Sequence, residues 1–309
     1  MELKNCRMAY GEALKKLGEE NRNVVVLEAD LGNSTMSKLF GAEFPERYFQ
    51  MGIAEQNMLS TAAGLSFAGK IPFVNSFAVF STGRPYDQIR SSICIPEANV
   101  KICGSSAGLS DYGDGKTHQS IDDIAIMQVL PHMTVLSPVD AVETEKMVKA
   151  AAELAGPCYI RVNRNDIPVL TEPSEEYHIG KMSVMREGTD LVIFATGYMV
   201  YQSLEAAKIL EKKGIRAKVV NVSTIKPLDA EKVRELAKGM KAVVTVEEHS
   251  VFGGLGAAIQ KAMAKGPLPA ELIGVEDKFG TSAENYELML QEYGLTPEDI
   301  ARRAAGLVQ

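Results

Sequence analysis

No continuous apolar segment in these 309 residues reaches the length of about 20 residues that a bilayer-spanning helix needs. The opening residues Met1-Glu2-Leu3-Lys4-Asn5 hold no apolar signal core, so a secretory leader is not expected. Basic runs are missing as well, and the formal net charge is -7. Without a basic footprint, nucleic acid is not an expected partner. Cysteine is scarce: Cys6, Cys94, Cys103 and Cys158 are scattered and show no metal-type spacing. Buried thiols acting as small hydrophobes account for them, and a reduced cytoplasmic protein is expected. Short-period repeats and low-complexity tracts are also absent.

What is present is the balance of a globular protein, 46% apolar and 24% charged, over a length sufficient for two domains. Short apolar strands alternate with helical stretches. Val24–Leu27, Ile71–Val74, Val100–Cys103, Thr134–Leu136 and Cys158–Val162 read as strands, and Glu143 to Leu154 as an amphipathic helix stopping before Gly156-Pro157. This rhythm predicts an α/β fold with mostly parallel sheets flanked by helices. Polar, Pro-containing Thr171-Glu172-Pro173-Ser174-Glu175-Glu176 interrupts it. The rhythm restarts at the strand Asp190–Ala195, followed by a helix from about Val200 to Lys212 and strands at Ala217–Val222 and Ala242–Val246. Two consecutive domains are expected, residues 1–170 and 187–309, joined by a linker over 171–186.

Two segments carry chemistry. Gly52-Ile53-Ala54-Glu55-Gln56-Asn57 sets one carboxylate ahead of the small and apolar run Met58 to Leu65. With few neutralising partners, such a carboxylate favours its neutral form and is a candidate acid/base; a first-turn Glu also suits a helix start for dipole reasons alone. Asp114-Gly115-Lys116-Thr117-His118-Gln119 sets an Asp and one of only four histidines on a Gly-punctuated loop.

In this order and at this separation, the two segments resemble the thiamine-diphosphate enzymes of the transketolase family. From about Arg7 to its end the chain resembles the C-terminal half of a transketolase, the smaller subunit of a split, two-chain enzyme. The resemblance implies a pyrimidine-binding domain followed by a transketolase C-terminal domain. It implies transfer of a two-carbon ketol unit from a ketose phosphate to an aldose phosphate, through a dihydroxyethyl group carried on thiamine diphosphate. Glu55 takes the place of the carboxyl group that hydrogen-bonds the aminopyrimidine ring. Phe77 and Phe80 match the aromatic pair that walls that ring, and Asp30 matches an acidic residue near the cofactor. The resemblance gives no aromatic at Ser81-Thr82-Gly83-Arg84, where a one-residue shift is needed.

On the substrate side, His118 and Asp114 match the loop that contacts the donor sugar. Arg7, Ser34 and Arg164 match positions that hold a sugar phosphate, a task for which the planar guanidinium fork is suited. Ser34 also fits a helix cap, in Asn33-Ser34-Thr35. Ser106 stands where the family usually has a phosphate-contacting His, and Asp111 lies in an altered loop, Leu109-Ser110-Asp111-Tyr112-Gly113, where a carboxylate near phosphate is unfavourable.

The family's acidic-Asn module for Mg²⁺ is not found. Gly113-Asp114-Gly115 belongs instead to the sugar-contacting loop. The resemblance therefore implies an N-terminal transketolase subunit that supplies the diphosphate and Mg²⁺ site, and a two-fold heterotetramer. Alternatives are a subunit similar to 1-deoxyxylulose-5-phosphate synthase or to a 2-oxo acid dehydrogenase beta chain, and a non-catalytic paralogue. Glu247-Glu248-His249 with Gly253-Gly254-Leu255-Gly256 lacks the full dinucleotide fingerprint and is expected to serve structure or an interface.

Overall fold

Val24 to Glu28 shows how the chain uses its apolar runs. All five residues are buried in the computed structural model, which describes residues 1–308. Val25 and Leu27 enter one core with Met58, Leu59 and Val74. Val24 and Val26 enter another with Tyr10, Leu14 and Met147. A strand covered on both faces needs no polar alternation, which is why the run is continuous.

The first half contributes β1 (Leu3–Asn5), β2 (Val24–Glu28), β3 (Tyr48–Gln50), β4 (Ile71–Phe77), β5 (Lys101–Ser105), β6 (Thr134–Leu136), β7 (Cys158–Arg161) and β8 (Asp166–Pro168). The second half contributes β9 (Ser183–Arg186), β10 (Leu191–Ala195), β11 (Ala217–Asn221), β12 (Thr224–Lys226), β13 (Ala242–Ser250) and β14 (Ala270–Val275). A seven-stranded sheet runs β12-β6-β7-β5-β4-β2-β3, parallel except where β12 meets β6. A five-stranded sheet runs β14-β13-β10-β11-β9, parallel except where β9 meets β11. β1 and β8 form a separate antiparallel pair.

The fold is thus α/β, with mostly parallel sheets flanked by helices. Several details differ from the sequence reading, which also did not anticipate β1, β3, β8 and β14. β9 falls inside the segment expected to be a linker, because Ser183–Arg186 pairs with β11 and closes the edge of the second sheet. β12 leaves its own half and pairs with β6 of the first sheet. The helix expected from Glu143 begins at Ala141, because the Asp140 side chain accepts from the Glu143 amide at 2.8 Å and fixes the first turn. All four cysteines are buried and free. Among the described residues, no helix is long and apolar enough to cross a membrane.

Candidate active site

In parallel sheets the strand ends at the carboxyl edge are free to feed ligand-binding loops. Asp30 and Ser34 follow β2, Glu55 follows β3, and Phe77 ends β4 with Phe80 just beyond. His118 follows β5, and Arg164 follows β7. Loops remote in sequence therefore open at one edge.

Glu55 is the first residue of the helix Glu55–Phe67 and is 5% exposed. The expectation that it has few neutralising partners is corrected here. Arg84 Nη1 donates to Glu55 Oε1 at 2.8 Å, and Arg84 Cζ stands 4.2 Å from the centre of the Phe80 ring. Arg84 lies in the stretch left without an assigned role, and no sequence signal pairs it with a carboxylate so far upstream. Phe77 and Phe80 are stacked, centroids 6.1 Å apart at 16°. The His118 ring meets both edge-on, 5.3 Å from Phe80 and 6.2 Å from Phe77. Its Nδ1 is shared with Thr117 Oγ1 at 2.9 Å, and Nε2 has no hydrogen-bond partner among the described residues.

The phosphate-type residues also converge. Arg7 Nε donates to the Arg164 carbonyl at 3.0 Å, and Nη1 to the Ser34 carbonyl at 2.9 Å. Burial and the neighbouring Arg164 charge both pull the Arg7 guanidinium below its ordinary value. Arg164 Cζ lies 5.7 Å from the Phe77 ring centre, which joins this pair to the aromatic wall. Ser34 is not a cap: it sits inside the short helix Gly32–Thr35, whose N-cap is Leu31. Asp111 is buried and accepts from Arg164 Nη1 at 2.7 Å. Burial pushes its carboxyl up and Arg164 opposes that push.

Asp30 is exposed, at φ +62°, with its amide donating to Gln50 Oε1 at 2.8 Å. Asp114 is exposed at the start of the turn Gly115–Thr117. Ser106 is withheld from the cleft. It is fully buried, at φ +53°, with Oγ unpartnered, so it presents no atom to a ligand from this chain. A group the sequence reading passed over is Glu28, two residues before Asp30. It accepts from Thr35 Oγ1 at 2.7 Å, from Ser37 Oγ and from the amides of Ala29 and Leu31. Burial pushes its carboxyl up to about 7 despite those donors. Its only sequence signal is a Glu closing an apolar strand.

The Glu-Glu-His and glycine segments of the second half have structural duties. Glu247 accepts from the amides of Leu255 and Gly256 at 2.6 and 2.8 Å, capping the helix Leu255–Met263. Glu248 accepts from the Leu109 amide at 2.7 Å and from Tyr286 Oη at 2.6 Å. His249 Nε2 accepts from the Ala125 amide at 3.3 Å, so Nδ1 carries the proton and donates to the Ser250 carbonyl at 2.7 Å. Arg161 donates to Asp123 at 2.8 Å and to the Glu248 carbonyl at 2.7 Å. The bonds from Leu109, Ala125 and Arg161 to Glu248 and His249 tie the two halves together. A groove of about 780 Å³, bordered by Gln128, Lys226 and Lys261, is lined by none of the cleft residues.

Comparison with known proteins places the chain in a family. Residues 3–169 match the family described as "Transketolase, pyrimidine binding domain", and residues 180–300 match "Transketolase, C-terminal domain". A putative transketolase C-terminal section from Methanocaldococcus jannaschii is 44% identical over 97% of this chain and 95% of its own length. One subunit of the apulose-4-phosphate transketolase of Phocaeicola vulgatus is 35% identical over 98% of this chain and 97% of its own length. A solved split-gene transketolase, described as an inactive beta4 tetramer, superposes with a TM-score of 0.88 at 45% identity, over 98% of this chain and 97% of that one. With both halves matched and relatives similar along nearly their whole length, this chain belongs to the transketolase family.

Proposed function

We propose that the chain is the C-terminal subunit of a two-chain transketolase, which moves a two-carbon ketol unit from a ketose phosphate to an aldose phosphate. The observation that carries this reading is the Glu55–Arg84–Phe80 contact. A guanidinium is a flat N–C–N unit. Here it lies over an aromatic face while donating to a buried carboxylate. Those are the two contacts an aminopyrimidine ring would require, so the residues fit the cofactor on which the family depends, thiamine diphosphate.

When bound, that cofactor supplies the stabilised carbanion that carbon–carbon bond transfer needs. Glu55 holds or releases a proton at a ring nitrogen. Phe77 and Phe80 fix the plane of the ring and exclude water. The unpartnered Nε2 of His118 and the carboxylate of Asp114 are placed to bind donor hydroxyls. Arg7, Arg164 and Ser34 hold the terminal group of the sugar. Asp30 is assigned to the cofactor side. Among the described residues, no group of three or more His, Cys, Asp or Glu is placed to hold a metal ion. Mg²⁺ and the diphosphate are assigned to an N-terminal partner subunit, in a two-fold heterotetramer, as the family resemblance implies. Free, buried cysteines support a reducing, cytoplasmic setting.

The test is ketol transfer from xylulose 5-phosphate to ribose 5-phosphate, with thiamine diphosphate and Mg²⁺. The chain is assayed alone and mixed with the candidate N-terminal chain of the same organism. Activity in the mixture only is the expected result. Activity of the chain alone refutes the partner requirement. No transfer by an assembled, cofactor-loaded mixture refutes this donor and acceptor pair.

A further inference from the structure

The arginine pair in the cleft does not act as two free charges. Asp111 is 2% exposed and cannot retreat into solvent. Its carboxylate is bonded to Arg164 Nη1, while its own carbonyl accepts from Gln119 Nε2 at 3.1 Å. Arg164 Nε and Nη2 make no hydrogen bond among the described residues, and its side chain is 31% exposed, so donors remain for a ligand. A carboxylate locked against a guanidinium cancels much of that guanidinium's field at the distance of a bound anion. A doubly charged anion feels the residual repulsion twice, and an uncharged hydroxyl does not feel it.

We propose that Asp111 is a positioning residue that sets the specificity of this subsite. By neutralising Arg164 it leaves the Arg7–Arg164 pair with one net positive charge. The subsite then accepts a sugar with an uncharged or singly charged terminus almost as readily as one ending in a phosphate dianion. Orientation follows from the same contact. Asp111 holds the guanidinium at Nη1 and leaves Nε and Nη2 for a ligand. The proposal rests on the assignment of Arg7 and Arg164 to the terminal group of the substrate.

The experiment compares wild type with Asp111→Asn, each assembled with the N-terminal subunit, using xylulose 5-phosphate and xylulose as donors to one acceptor. Asn keeps an oxygen for Arg164 and removes the charge. KM for the phosphorylated donor is expected to fall about tenfold with kcat held, while KM for xylulose stays put. Equal changes for both donors, or none, overturn the proposal. Asp111→Ser, checked by circular dichroism, carries the same test if the Asn chain misfolds. Calorimetry of inorganic phosphate with the full chain reads the subsite without catalysis. Binding about tenfold tighter in Asp111→Asn, and lost when Arg164→Gln is added, is the supporting outcome. Equal phosphate affinities in wild type and Asp111→Asn overturn it. If phosphate tightens but no ketose is turned over by wild type, the assigned reaction falls and the charge balance stands.

Discussion

Glu55 and Arg84 lie 29 positions apart and meet at 2.8 Å, one buried and one half-exposed. A pair with one exposed member contributes little to stability, on the order of 1 kcal/mol or less. Its consequence is functional, because the guanidinium covers the carboxylate and the Phe80 face together. Arg84→Gln removes that competitor. The half-saturating concentration of thiamine diphosphate in the assembled complex is expected to fall by up to about fivefold, the equivalent of 1 kcal/mol. A rise instead would mean that Arg84 helps to hold the cofactor and does not stand in for it. Glu55→Gln keeps size and hydrogen bonding but cannot exchange the proton. It should lower kcat by about 10²–10⁴-fold with the complex still assembled. An equally active variant would remove Glu55 from the acid/base role.

At the scale of elements, the helix Leu255–Met263 illustrates how a glycine-rich turn can resemble a ligand site and serve its own fold. Both oxygens of Glu247 are used by the Leu255 and Gly256 amides. A Cβ added at Gly254 would lie 2.0 Å from Glu247 Oε2, so this glycine is needed for the close approach. Glu247→Ala leaves those amides buried without an acceptor and should cost about 1–3 kcal/mol, read as a lower denaturation midpoint. An unchanged midpoint would show that the cap is dispensable. Strand positions were legible from apolar runs alone, because β2, β5 and β10 are buried along their whole length. β1, β3, β8 and β14 were not read, nor were β9 and β12. β9 and β12 are short and partly polar, and each pairs with the edge of a sheet.

At the scale of the whole molecule, buried carboxylates brace the junction of the two halves. Glu143 accepts from the Val139 amide at 2.6 Å and from Asn221 Nδ2 at 3.0 Å, across the halves. Glu248 does the same through Leu109 and Tyr286. Burial pushes Glu28, Glu143 and Glu248 up to about 7 each, from 4.5. Between those values the folded chain binds more protons than the unfolded chain. Stability from these groups is therefore present at the acidic end and is lost as pH rises toward 7. The melting temperature is expected to decline from pH 5 to pH 7, with a shallower decline in Glu143→Gln. A parallel slope in the variant would exclude Glu143 as a source.

The sequence by itself determined the alternation of strand and helix, because burial on both faces of a parallel sheet demands continuous apolar runs. The family resemblance in the sequence also named Glu55, Phe77, Phe80, His118, Arg7 and Arg164 as candidate site residues. Which side chains touch was decided only by the tertiary structure. Arg84 on Glu55, Asp111 on Arg164, the burial of Ser106 and the bonds of Glu28 all join or hide groups through the packing of separate loops. Charge interactions act through space with no period along the chain, so no local pattern encodes them.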